Sequence, residues 1–273
     1  MTPASLHPEP AADPKEARSP RPSGKSPPDS PLEPGLYVVA TPIGNLRDIT
    51  VRALDVLAGA ARIYAEDTRV ARKLLDAYAI ATPLSAYHDH SAPALREAIV
   101  AAIGRGEALA LVSDAGTPLI SDPGFKLARA VIEAGARVFP VPGASALLAA
   151  LVGAGLPTDR FFFAGFAPAK AGARRAWLED LAAIPATLVF YETGPRLAES
   201  LADMAAAFGP RPAVIARELT KMFEEFRRDD LASLAASYAA APPKGEIVVL
   251  VEGPPEAPPT DEATLDAFLR EAL

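Results

Sequence analysis

The chain has 273 residues, half of them hydrophobic and 22% charged, with a formal net charge of −7 and no cysteine. That length can bury one large core or two modest ones, and the absence of thiols excludes a disulfide framework, thiolate catalysis and Cys-ligated metal sites. The acidic balance provides no global basic field for nucleic acid, so any such contact would need a local basic face.

Residues 1–33 are rich in Pro, Ser and mixed charges and read as a disordered tail. Gly24-Lys25-Ser26 imitates the end of a P-loop but lacks the earlier glycine. The tail has no apolar stretch of the signal-peptide kind, and no later run reaches the about 20 residues that span a bilayer. The protein is expected in the cytoplasm, away from membranes.

Order is expected from Gly35. Leu36–Ala40 reads as a buried strand. A Gly/Pro loop follows, and Asp48 or Thr50 caps a helix to about Leu57. Strands are then expected at Arg62–Glu66, Pro83–Tyr87, Ala108–Ser113 and Arg137–Val141. Helices are expected at Thr68–Tyr78, Ala94–Ile103, Phe125–Glu133 and Ala144–Val152. Alternating apolar strands and helices imply a parallel sheet covered on both faces.

Gly155–Asp159 reads as a linker. Beyond it, strands are expected at Phe161–Phe163, Ala186–Tyr191, Ala213–Arg217, Met222–Arg227 and Glu246–Val251, with helices at Arg174–Leu181, Arg196–Phe208 and Asp230–Ala240. No helix fits between the strands flanking Leu219–Phe223, so this half is expected to hold a mixed sheet. A Pro-rich linker after Gly253 leads to a short helix, Leu265–Leu273. The expected domains are residues 34–156 and 157–253, followed by a 254–273 extension.

Ligands of open α/β sheets bind at strand ends, and three loops there stand out. Thr41–Leu46 carries Pro42, Ile43 and Gly44, either as a plain turn or as a close backbone approach to a ligand. Ser113–Gly124 is long for a strand–helix connection. Its Asp114 can take a ribose hydroxyl or a cation, and the backbone near Gly116 and Thr117 offers free polar groups. Val141–Ser145 opens a helix directly after a strand, as a ligand site or as tight packing. Glu66–Arg69 is either a capped, exposed ion pair or a second carboxylate–guanidinium pair at the sheet edge. Lys170, Arg174 and Arg175 gather at a helix start, the wrong end of the dipole for cations, which suggests phosphate facing as an alternative to a solvated face. The Tyr191–Arg196 loop carries an aromatic and Arg196, suited to a base and a phosphate, and Arg217 and Lys221 flank a turn. His88-Asp89-His90 lacks an obvious third ligand, so no metal is expected.

In order along the chain, TPIGNLRDIT from Thr41, AEDTR from Ala65, HDH from His88, SDAGTPLISDPG from Ser113, PGAS from Pro142, GFAPAK from Gly165, ARELTK from Ala216 and KGEIVVLVEG from Lys244 resemble the tetrapyrrole methylases. The set is most similar to their branch that methylates cytidine 2′-hydroxyls in small-subunit ribosomal RNA. The resemblance implies a two-domain α/β fold and folded S-adenosylmethionine held by Pro42, Ile43, Gly44, Asp114, Gly116, Thr117, Ile120, Ala144, Ser145, Tyr191 and Glu246. It also implies a homodimer acting on small-subunit RNA. The family usually ends in a small helical domain, of which only the first helix is expected here.

A 2′-hydroxyl needs its proton withdrawn before it attacks a methyl group. Candidates for that work are Asp67, His88, Glu218 and Lys221. Arg69, Lys170, Arg174, Arg175, Arg196 and Arg217 are the candidate RNA contacts. A tetrapyrrole or protein substrate on the same fold, a non-catalytic RNA-binding assembly factor, and a nucleotide-dependent oxidoreductase are the alternatives.

Overall fold

The computed structural model describes residues 31–88, 91–241 and 243–255. Most of the expected N-terminal tail, Asp89 and His90, and the expected Leu265–Leu273 helix lie outside the described residues. Among the described residues, Leu32 packs on the first core and Glu33 pairs with Arg137.

The first half runs β1 (Gly35–Val39), α1 (Val51–Gly59), β2 (Arg62–Ala65), α2 (Thr68–Ala77), β3 (Leu84–Ala86), α3 (Pro93–Gly104), β4 (Ala108–Val112), α4 (Phe125–Glu133) and β5 (Val138–Val141). Its five strands are all parallel, in the order β3-β2-β4-β1-β5. Successive side chains on a strand point to opposite faces. Tyr37, Val39, Ile63, Ala65, Ala110 and Val112 therefore meet α1 and α2 on one face. Leu36, Tyr64, Leu109 and Leu111 meet α3 and α4 on the other. The apolar runs follow from this burial on both faces. Thr50, not Asp48, caps α1, its hydroxyl accepting from Ala53 N, while Asp48 sits in a short 3-10 turn.

The central strands β1 and β4 lead to helices on opposite faces of the sheet. That divergence is the topological switch point, where open α/β sheets form a crevice beyond their carboxyl ends.

The second half comprises α5 (Ala146–Ala154), β6 (Phe161–Phe166), α6 (Ala171–Leu181), β7 (Thr187–Thr193), α7 (Gly194–Phe208), β8 (Pro212–Arg217), β9 (Glu225–Asp230), α8 (Leu231–Ala240) and β10 (Glu246–Val251). The sheet order is β6-β7-β10-β8-β9, parallel only between β6 and β7, so it is mixed as expected. The sixth to eighth helices cover one face around Phe190, Leu201 and Ile215. On the other face, Ala150, Leu151 and Ala154 of α5 pack on Val189, Val214, Val248 and Leu250. The fifth helix follows the last strand of the first sheet yet covers the second, and so joins the two halves.

Two expectations change. Strand β9 begins at Glu225, because residues 218–224 fold into turns, with Lys221 N donating to Glu218 O and Glu224 N to Lys221 O. The Arg174 side chain, expected to face phosphate, is only 3% exposed. The helix starts at Ala171, which puts Arg174 a turn inside it, facing α7. Its Nε meets Asp203 Oδ2 at 2.7 Å, while Arg175 Nε reaches Oδ1 at 2.8 Å. Burial alone would raise the Asp203 pKa, but the hydrogen bonds from Arg175 and Arg174 outweigh it and hold the carboxyl below its usual range. Asp203→Ala leaves a buried guanidinium without its main partner, and we expect a loss of about 3–5 kcal/mol in urea unfolding.

Candidate active site

The loops after the two central strands are tied to each other. Thr41 N donates to Gly116 O at 2.8 Å, and Gly116 N returns a bond to Thr41 O at 3.0 Å. Thr41 Oγ1 donates to Ser113 O, and Thr117 Oγ1 donates to Ala144 O, which brings in the Val141–Ser145 loop. Asp114 Oδ1 accepts from Asp67 N, which anchors the corner before α2. Within the 113–124 loop, Leu119 (φ 73°) and Ser121 (φ 62°) adopt left-handed backbone. Such residues cost roughly 1–3 kcal/mol each and persist only where surrounding contacts hold them. Gly124, at φ 126°, has no room for a side chain, since a Cβ would lie 2.6 Å from Leu111 Cδ2.

Facing these loops is the edge of the second sheet formed by the ends of β6, β7 and β8 and the start of β10. Between them lies a cleft of about 340 Å³, within the range of small-ligand sites. Of the expected cofactor residues, Ile43, Asp114, Gly116, Thr117, Ile120, Ser145, Tyr191 and Glu246 line it. Pro42 and Gly44 face an adjoining groove, and Ala144 contributes its carbonyl to Thr117.

Sequence reasoning missed Ser121, Asp122, Phe166 and Glu192, which also line the cleft. Asp122 resembled a plain helix-start residue. Glu192 left a signal, a carboxylate within an apolar strand. It is buried and accepts from Ser200 Oγ at 2.6 Å and from Thr193 N at 2.8 Å. Tyr191 is flanked edge-on by Phe163 and Phe166, and burial raises its pKa.

Of the candidate catalytic groups, Glu218 and Lys221 line the cleft, joined at 3.1 Å. Lys221 lies across Gly44, where a Cβ would come within 2.6 Å of its Cγ. Glu218 and Thr220 are held at positive φ, 52° and 64°. Asp67 and His88 do not line the cleft. The Asp67 carboxyl is taken up by the Arg69 guanidinium, which holds its pKa at about 2, too low for an effective base near neutral pH. The expected RNA contacts lie outside the cleft lining as well. Arg69 is exposed but forks onto Asp67. Lys170 is exposed. Arg175 holds Asp203, Arg196 donates to Ala167 O, and Arg217 pairs with Glu225.

The cleft is strongly acidic. Asp122 has its pKa raised to about 6 by burial and by the neighbouring Glu66, Asp114 and Glu246 carboxylates, against a stabilising Ser113 hydrogen bond. Clustered carboxylates that repel one another suit a ligand bearing positive charge. Among the described residues no group of three or more His, Asp or Glu is placed to hold a metal ion. S-adenosylmethionine carries a sulfonium and an ammonium, which these carboxylates would suit, and Ile43, Ile120 and Val248 add apolar surface to the cleft.

Fold and cleft define an S-adenosylmethionine-dependent methyltransferase, and the chain belongs to the Tetrapyrrole (Corrin/Porphyrin) Methylases, whose family model matches residues 35–235. It is 56% identical over 244 residues to a ribosomal RNA small subunit methyltransferase I of Mesorhizobium japonicum, covering 89% of this chain and 83% of that one. It is 51% identical to the protein of the same name from Xylella fastidiosa, covering 87% and 89%. The fold is shared with uroporphyrin-III C-methyltransferase from Thermus thermophilus complexed with S-adenosylhomocysteine, at a TM-score of 0.54 and 19% identity, over 79% of this chain and 96% of that one.

The raised Asp122 pKa yields a signed expectation. The folded state holds this proton up to about pH 6, whereas an unfolded Asp releases it near pH 3.9. Stability is therefore lost as pH rises through that window and stays lost above it. Asp122→Asn removes the penalty, so its thermal midpoint without cofactor should exceed that of the parent at pH 8 by more than at pH 5. A bound cation favours the ionised carboxylate, so calorimetric affinity for S-adenosylmethionine should fall as pH drops through about 6 in the parent, and by less in Asp122→Asn.

Proposed function

We propose that the chain transfers the methyl group of S-adenosylmethionine to the 2′-hydroxyl of a cytidine in small-subunit ribosomal RNA. The observation that carries the chemistry is the Glu218–Lys221 pair, which lines the same cleft as the acidic cluster. The extended identity to ribosomal RNA small subunit methyltransferases I supports the substrate. The bound cofactor supplies an electrophilic methyl group on a sulfonium sulfur. Lys221 orients the incoming hydroxyl and steadies the neighbouring phosphate. The Glu218 carboxylate accepts the hydroxyl proton as the oxygen is methylated; a bound S-adenosylmethionine would supply the methyl group and leave as a neutral thioether. Positioning of this kind and proton withdrawal together supply much of the rate.

The reaction belongs in the cytoplasm, where the small subunit is assembled, and the acting form is a homodimer. The outer face of α5 exposes Leu148 and Val152, and edge strand β6 exposes Phe161 and Phe162. Apolar surface of this kind is suited to a second copy. Sedimentation should give a dimer, and Val152→Glu should shift it toward monomer.

The direct test is methyl transfer from labelled S-adenosylmethionine to small subunits from cells lacking the protein, followed by nuclease digestion and mass spectrometry. Label in 2′-O-methylcytidine is the expected result, and label in another nucleoside, or none, would refute the assignment. Lys221→Ala and Glu218→Gln should each lower the single-turnover rate by about 10²-fold or more, with calorimetric cofactor affinity unchanged.

A further inference from the structure

A second, smaller groove adjoins the cleft on the far side of the Thr41–Leu46 loop. Its volume is about 190 Å³, and Pro42, Leu46, Val70 and Leu74 give it an apolar lining beside Lys73. That is below the roughly 300–1,000 Å³ of whole-ligand sites, so it suits one fragment of a larger ligand. Leu46 and Val70 are 48% and 37% exposed. The Leu46 lip is held by Tyr78, whose hydroxyl donates to Leu46 O at 2.5 Å.

Two features connect the groove to the reaction. Asp114 lines both spaces. Gly44 lines the groove and lies under Lys221, which lines the cleft. The Lys221 side chain therefore rests directly on the Gly44 backbone, with no Cβ between them, at the border of groove and cleft.

Helix α2, which walls the groove, carries Arg69, Arg72 and Lys73 against the single acid Asp76, in a chain of net charge −7. Arg69 is neutralised by Asp67. Arg72 and Lys73 are exposed, and among the described residues neither has an ion-pair partner. Of the two, Lys73 lines the groove, and a free cation beside an apolar surface matches a phosphodiester next to a base or ribose.

We propose that this groove is the acceptor-nucleotide subsite. The target nucleotide of an RNA strand lies against Leu46 and Val70, with a flanking phosphate on Lys73 and its 2′-hydroxyl toward the Lys221 side chain that rests on Gly44. The assignment rests on the RNA-methylation reading above, and the test separates the two.

Three measurements are made on the full chain: the KM for small ribosomal subunits across salt concentrations, the affinity for a single-stranded RNA oligonucleotide of the methylated sequence by fluorescence anisotropy, and calorimetric affinity for S-adenosylmethionine. Lys73→Ala should raise the KM and weaken RNA binding by about 5-fold or more at physiological salt, and should flatten the log–log salt slope by about 1. Val70→Trp, which fills the groove without removing charge, should lower kcat/KM for subunits. Both variants should keep parental cofactor affinity. Unchanged KM, RNA affinity and salt slope would overturn the subsite, as would a parallel loss of cofactor affinity, which would make the groove part of the cofactor site. A parent that binds RNA through Lys73 but transfers no methyl group would sink the proposed reaction and uphold the groove, whereas a parent that neither methylates nor binds RNA would sink both.

Discussion

The two backbone hydrogen bonds between Thr41 and Gly116 hold the functional site together. Strands β1 and β4 are neighbours at the centre of a parallel sheet, but their chains leave toward helices on opposite faces. Without a tie, the two loops would diverge where the crevice opens. The bridge closes that gap and brings Ile43 and Gly44 against Asp114–Thr117. Thr117 then passes the constraint to Ala144 and the start of the fifth helix. Because that helix packs on the second sheet, a short chain of hydrogen bonds sets one wall of the cleft relative to the other.

Electrostatics divides this acidic protein into two surfaces with different roles. Glu66, Asp114, Asp122 and Glu246 line one cleft, where burial first and then repulsion from the neighbouring carboxylates raise the Asp122 pKa. That repulsion costs stability in the empty protein and is relieved by a cationic ligand, so part of the cofactor's binding energy comes from ending an unfavourable arrangement. Outside the cleft, exposed cations gather on α2. Net charge alone gave no hint of this separation, since it averages over both surfaces.

Backbone strain is distributed in the same way. Leu119 and Ser121 lie in the loop that walls the cleft from the first half, and Glu218 and Thr220 in the turn that walls it from the second. Both segments place side chains that no regular strand or helix would aim inward. By contrast, the Arg174–Asp203 pair between α6 and α7 lies away from the cleft and serves packing.

Much of the fold was legible from the sequence because its signals are local. Apolar runs of four to six residues separated by helical periods specify a doubly covered parallel sheet, and the absence of a helical stretch around Leu219–Phe223 specified the mixed sheet that follows. The loops that line the cleft were legible too, since Asp114 and Gly116 sit in strand-end loops, where open sheets form their crevices. What the sequence could not determine was pairing across space. Arg174 and Arg175 are adjacent in the chain and alike in type, yet one is buried against α7 and the other is exposed, because a helix turns about 100° per residue and only packing decides which side is covered. Asp67 and Asp114 are both strand-end carboxylates, but Arg69 captures the first, and the switch-point geometry leaves the second between cleft and groove. Local sequence set the strands, caps and loops, and the tertiary structure alone decided which charges met partners and which remained free to act.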